Sequence, residues 1–71
     1  MKVSFTNHAR IRLYERGIPV EFIKQAIKNP DKEKHTFKNR TQIQKNFSGK
    51  VLEIICVKTL NKVVILTFYY I

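Results

Sequence analysis

The stretch from Arg40 to Lys58, RTQIQKNFSGKVLEIICVK, decides the fold. From Arg40 to Phe47 the side chains alternate. Thr41, Ile43, Lys45 and Phe47 point one way, and Arg40, Gln42, Gln44 and Asn46 point the other, which is the period of a half-buried strand. Ser48-Gly49 is a hairpin turn signal. Val51 to Lys58 is rich in β-branched and apolar residues, with Glu53 as its one interruption, and reads as a central strand buried on both sides. Leu60-Asn61-Lys62 turns the chain again before a last strand, Val63 to Ile71. Tight turns join these strands, so they run antiparallel.

The amino-terminal half has a helical period. Val3 and Phe5 flank Ser4 in a short strand, and Thr6 and Asn7 offer capping oxygens for a helix starting near His8. Gly17 suits the left-handed residue that ends such a helix. Pro19 fits the first positions of a second helix, and Glu21 complements its positive end. Phe22, Ile23, Ala26 and Ile27 supply one apolar face, and Asn29-Pro30 stops the helix. Lys32 to Phe37 is a further candidate strand. The predicted fold is α+β in the order β-α-α-β-β-β, with two N-terminal helices packed on a three- to four-stranded antiparallel sheet. The sheet face carrying Arg40, Gln42 and Gln44 is then left to solvent or to a ligand.

Seventy-one residues make a single domain, 1–71, with a thin core, since a chain this short buries only about 60% of its unfolded surface. Fourteen basic residues against five acidic give a formal charge of +9, spread along the chain without a like-charge block. Such a field favours polyanions such as RNA, or an acidic protein, although a lysine-rich surface also serves solubility alone. The one cysteine, Cys56, lies in an apolar run and reads as a small buried hydrophobe. With no signal-peptide pattern and no apolar run near the ~20 residues of a membrane span, the expected location is the cytoplasm, with no membrane partner.

Chemistry concentrates between Phe5 and Ile18, FTNHARIRLYERGI. At about 100° per residue, His8, Arg12 and Glu15 fall within a wedge of about 60°, with Arg16 just beyond it. Cleavage of RNA without metal needs a base for the 2′-OH, cations for the charge developing on phosphorus, and an acid for the 5′-oxygen. His8 fits the titratable role, Arg12 and Arg16 fit phosphate, and Glu15 either orients them or acts as base. Read structurally, the same residues form ordinary helix pairs of about 0.2–0.5 kcal/mol each. Arg40, Lys45, Lys50 and Tyr70 are the expected RNA contacts. Tyr69 lies on the opposite face from Tyr70, so at most one of them shares the site face, where either could stack on a base or supply a phenol. His35 is an outside candidate for the second proton-transfer group. No carboxylate cluster or Cys/His set has metal spacing, so neither metal nor cofactor is expected.

The motif formed by His8, Ala9, Arg12, Glu15, Arg16, Gly17 and Ile18 resembles that of an uncharacterised small-protein family of bacteria and archaea. That family is usually grouped with the RelE/ParE superfamily of toxins, near the BrnT-type toxins. The likeness continues through Ile23, Ala26 and Pro30 and through the closing VVILTFYY of Val63 to Tyr70. The resemblance implies a compact RelE-like toxin domain and a toxin–antitoxin role. The implied activity is an mRNA endoribonuclease (mRNA interferase), with the ribosome as one setting and an acidic antitoxin as partner. The superfamily also contains gyrase inhibitors of the ParE kind and members without demonstrated activity, so a non-catalytic binding toxin or an inactive basic domain stays open.

Overall fold

The computed structural model describes residues 2–71. Its elements run β1 (Lys2–Phe5), α1 (Asn7–Arg16), α2 (Val20–Lys28), β2 (Lys32–His35), β3 (Thr41–Phe47), β4 (Lys50–Lys58) and β5 (Lys62–Tyr70). The class is α+β as expected, but the sheet is five-stranded and mixed, in the order β1-β5-β4-β3-β2. The expected all-antiparallel sheet fails at one edge, where β1 pairs parallel with β5 and Lys2 to Phe5 lie against Lys62 to Ile65. The reason is topological. β1 and β5 share an edge, so the chain must cross the sheet through both helices before β2 can begin at the far edge. Lys32–His35 is a true strand, shorter than the predicted span and exposed throughout. Its charged sequence, Lys-Glu-Lys-His, suits an edge that must not recruit another chain.

Local sequence explains both helices. Thr6 caps α1 by accepting a hydrogen bond from the Ala9 N–H at 3.1 Å. Gly17, at φ 60°, ends it, and its N–H donates to the Leu13 carbonyl. In α2, Ile23, Ala26 and Ile27 are buried, and Phe22 stacks on Phe47 of β3 with ring centroids 4.3 Å apart. α1 buries Ala9 alone among its residues and leaves Ile11 and Tyr14 exposed. Beneath the helices lie Ile43, Leu52, Ile54, Cys56, Val63, Ile65 and Phe68, all fully buried. The register pairs Ile43 with Ile54 and Ile54 with Phe68, so these side chains share the helix-facing side.

Two turns carry the hairpins. Ser48-Gly49 has positive φ at both residues (55° and 92°), as a two-residue hairpin loop requires. Lys38-Asn39, between β2 and β3, has the same geometry at φ 62° and 59°, although neither residue is glycine. A left-handed lysine costs about 1 kcal/mol, and Asn-Gly is the favoured pair for this turn. The double substitution Lys38→Asn, Asn39→Gly should therefore raise the thermal midpoint by several degrees, read by circular dichroism. An unchanged midpoint would mean that the turn is not strained.

Candidate functional site

Two groups of polar side chains stand out, one on α1 and one on the sheet face that the helices leave open. On α1, the Arg12 Nε donates to His8 Nε2 at 3.3 Å, and Arg12 Nη1 donates to Glu15 Oε1 at 2.6 Å. This is the predicted wedge, exposed to solvent and joined by hydrogen bonds. Accepting from Arg12 requires an unprotonated His8 Nε2, so the imidazole carries its proton on Nδ1. An exposed pair such as Arg12–Glu15 contributes only about 0.3–0.5 kcal/mol, so these residues are not what holds the fold.

Arg16, the fourth member expected here, does something else. Among the described residues no strand lies beside the outer edge of β5 beyond Ile65, and Arg16 Nη1 donates to the Phe68 carbonyl there at 2.8 Å. Its guanidinium also lies 5.9 Å from the centre of the Tyr69 ring. Arg16 thus caps a sheet edge and joins α1 to the open face.

That face is organised around Glu53. It sits on β4 in the middle of the sheet and is only 7% exposed. Its Oε1 accepts from Gln42 Nε2 at 2.8 Å and Gln44 Nε2 at 2.7 Å, while its Oε2 accepts from the Tyr69 hydroxyl. A buried carboxylate needs such donors. The hydrogen bond to Glu53 raises the Tyr69 pKa, burial and the Glu53 charge add to the rise, and Arg16 opposes it. Tyr69 is therefore a firmly protonated donor. Burial also pushes the Cys56 thiol up to about 11, with Lys58 opposing and Glu33 adding, which leaves it inert as a nucleophile.

The remaining predicted contacts do not converge. Arg40 lies in the β2–β3 loop, one residue before β3, and its carbonyl accepts from the Thr36 N–H. Lys50 is at the opposite end of β3, about 20 Å away for a strand of this length. There it stands over the Tyr70 ring at 5.5 Å, and the pairing of Tyr70 with Leu52 puts that ring on the helix-facing side. Lys45 also points to the helix side, where its Nζ donates to the Asn29 carbonyl at 2.9 Å and lies 3.7 Å from Asp31. It ties down the end of α2. His35 packs against the Thr41 hydroxyl at 3.3 Å. The tyrosine that joins the polar network is Tyr69 and not Tyr70. Glu53 is the residue that the sequence reading leaves out, although its signal is present: a lone charge in an apolar strand, paired with Gln44 of the facing strand and diagonal to Gln42.

A family model described as a domain of unknown function (DUF4258) matches residues 5–70. The chain belongs to this family. No curated protein and no solved structure matches it. The match takes in both groups of this DUF4258 domain, since His8 to Arg16 and Gln42 to Tyr69 lie inside it. Among the described residues no three His, Cys, Asp or Glu side chains are placed to hold a metal ion, and no helix is long and apolar enough to cross a membrane.

The raised Tyr69 pKa has a consequence for stability. A phenol whose folded pKa lies above the unfolded value of about 10 contributes stability fully below that pH, and loses it as pH rises through the folded pKa. The difference in 295 nm titration between the parent protein and Tyr69→Phe should show a midpoint above about 10, and Glu53→Gln should lower it. A midpoint at or below the ordinary tyrosine value would rule out the Tyr69–Glu53 bond in solution.

Proposed function

We propose that this protein is a RelE-like toxin that binds RNA and cleaves it without metal, and that an acidic antitoxin neutralises it. The observation that carries the reading is the hydrogen-bonded set His8–Arg12–Glu15 on the solvent side of α1, in a chain of formal charge +9. α1 has no acidic residue in its first turn, so its positive end is not offset beside His8. In the proposed reaction substrate binding draws Arg12 Nε away from His8 Nε2, and that freed nitrogen takes the proton of the ribose 2′-OH. That oxygen attacks phosphorus, the bond to the 5′-oxygen breaks, and solvent returns a proton to the leaving oxygen. Arg12 stabilises the charge on the phosphoryl oxygens through donors not used by His8 and Glu15. Glu15 orients the Arg12 guanidinium. The products are a 2′,3′-cyclic phosphate and a 5′-hydroxyl.

A binding-only toxin, such as an inhibitor of gyrase, is the second reading. It is favoured by the Arg12–Glu15 pair, which partly neutralises the cation and leaves no second proton-transfer group beside His8.

Purified protein incubated with RNA in EDTA should release fragments ending in 2′,3′-cyclic phosphate. His8→Ala and Arg12→Ala should each lower the rate by a factor of roughly 10² or more while the thermal transition stays in place. Arg16→Ala should instead lower the transition, by about 1 kcal/mol for the lost bond to the Phe68 carbonyl. Intact RNA together with blocked gyrase would replace the nuclease by the binding-only reading.

A further inference from the structure

The open sheet face holds a groove of about 570 Å³ along β2 and β3, lined by Asp31, Lys32, Glu33, Lys34, Gln42 and Gln44. Register sets its chemistry. Lys32 pairs with Gln44 and Lys34 with Gln42, so all four side chains project to the side away from the helices. Both glutamine amide nitrogens are turned inward to Glu53 Oε1. The Oε1 of each amide is the end left available, and among the described residues neither accepts a hydrogen bond. Lys32 and Lys34 make no ion pair among the described residues. The two acids of the lining are already paired. Glu33 meets Lys58 at 2.9 Å, and Asp31 accepts from the Asn46 N–H at 2.8 Å and lies near Lys45.

The groove thus offers two oriented acceptors beside two free ammonium groups. A cationic ligand is repelled by the lysines, and a plain anion leaves the amide oxygens unmatched. A ligand that joins a hydrogen-bond-donating amine to a negative charge answers both, and a volume of this order holds a nucleotide.

We propose that this groove is a base-reading subsite for single-stranded RNA: Gln42 and Gln44 accept from the exocyclic amine of a nucleobase, and Lys32 and Lys34 hold the neighbouring phosphate. The assignment rests on the RNA reading above and adds a base preference to it. Glu53 is the positioning residue, since its carboxylate fixes which end of each amide faces the ligand. Adenine, cytosine and guanine carry the required amine. Uracil does not, and the carbonyl oxygens flanking its one N–H would face the glutamine oxygens.

The test separates binding from cleavage by using ten-residue oligonucleotides of 2′-O-methyl C or 2′-O-methyl U, which lack the nucleophile, labelled for fluorescence anisotropy. The C probe should bind about tenfold more tightly than the U probe. Gln42→Leu and Gln44→Leu should erase that ratio. Lys32→Ala with Lys34→Ala should weaken both probes alike and flatten the salt dependence. In the unsubstituted protein, the side-chain amide signals of Gln42 and Gln44 should shift on adding the C probe and stay in place with the U probe, a readout that does not depend on any variant folding. Equal affinity for both probes, or a ratio unchanged in the glutamine variants, overturns the subsite. Cleavage without base preference would leave the nuclease standing and remove this groove; base preference without cleavage would do the reverse.

Discussion

Pairing of the first strand with the last commits both helices to one side of the sheet. β1 lies beside β5, and β2 lies at the opposite edge, so the only chain between them, α1 and α2, must cross a single face. The apolar positions of β3, β4 and β5 follow that choice. Ile43, Leu52, Ile54, Cys56, Val63, Ile65 and Phe68 all lie under the helices. The same alternation sends Gln42, Gln44, Glu53 and Tyr69 to the other face, which no element among the described residues covers. A one-residue slip of β3 against β4 would bury Gln42 and Gln44 and expose Ile43, so the core and the polar face are specified together.

Arg16 is where the two sides meet. β1 reaches only as far as Ile65 along β5, which leaves the Phe68 carbonyl without a strand partner among the described residues. α1 ends beside this gap, and its last residue fills it with a guanidinium that also faces the Tyr69 ring. One turn earlier on the same helix, Arg12 is held by His8 and Glu15 and turned to solvent. Two arginines four residues apart therefore have different work. One closes a backbone edge and belongs to the fold. The other is bonded only to exposed groups of its own helix, where the energies are too small to matter for folding.

Much of this was legible in the chain. Thr6, Gly17 and Pro30 marked the helix limits through their own backbone preferences, and Ser48-Gly49 marked a hairpin. The His8, Arg12, Glu15 wedge followed from helical angle alone. What the chain hid was non-local. No feature of Val3 to Phe5 names β5 as its partner, because parallel pairing leaves no turn signature between the strands. Lys38-Asn39 is a weak turn signal without glycine. Lys45 and Lys50 read as surface cations, yet each is set by what the tertiary fold brings near it, the Asn29 carbonyl and the Tyr70 ring. Arg40 reads as the first residue of a strand, whereas the strand begins one residue later, at Thr41, after the Lys38-Asn39 turn.

Glu53 is the residue that stability does not explain. The sequence around it, Val51-Leu52 and Ile54-Ile55, would accept an apolar side chain without breaking the strand. Replacing a buried ionic group by a well-packed apolar one is often neutral or stabilising, because desolvation offsets most of what the partners return. A carboxylate kept here against that balance is better understood by what it fixes. Three donors from two neighbouring strands converge on it, and each gives up its rotational freedom to do so. The result is a sheet face whose two amides are held by their nitrogens with their oxygens left available, bordered by lysines on one flank and by Arg16 on the other. A face needed only for solubility gains nothing from orienting its amides, whereas a face that reads a ligand depends on it.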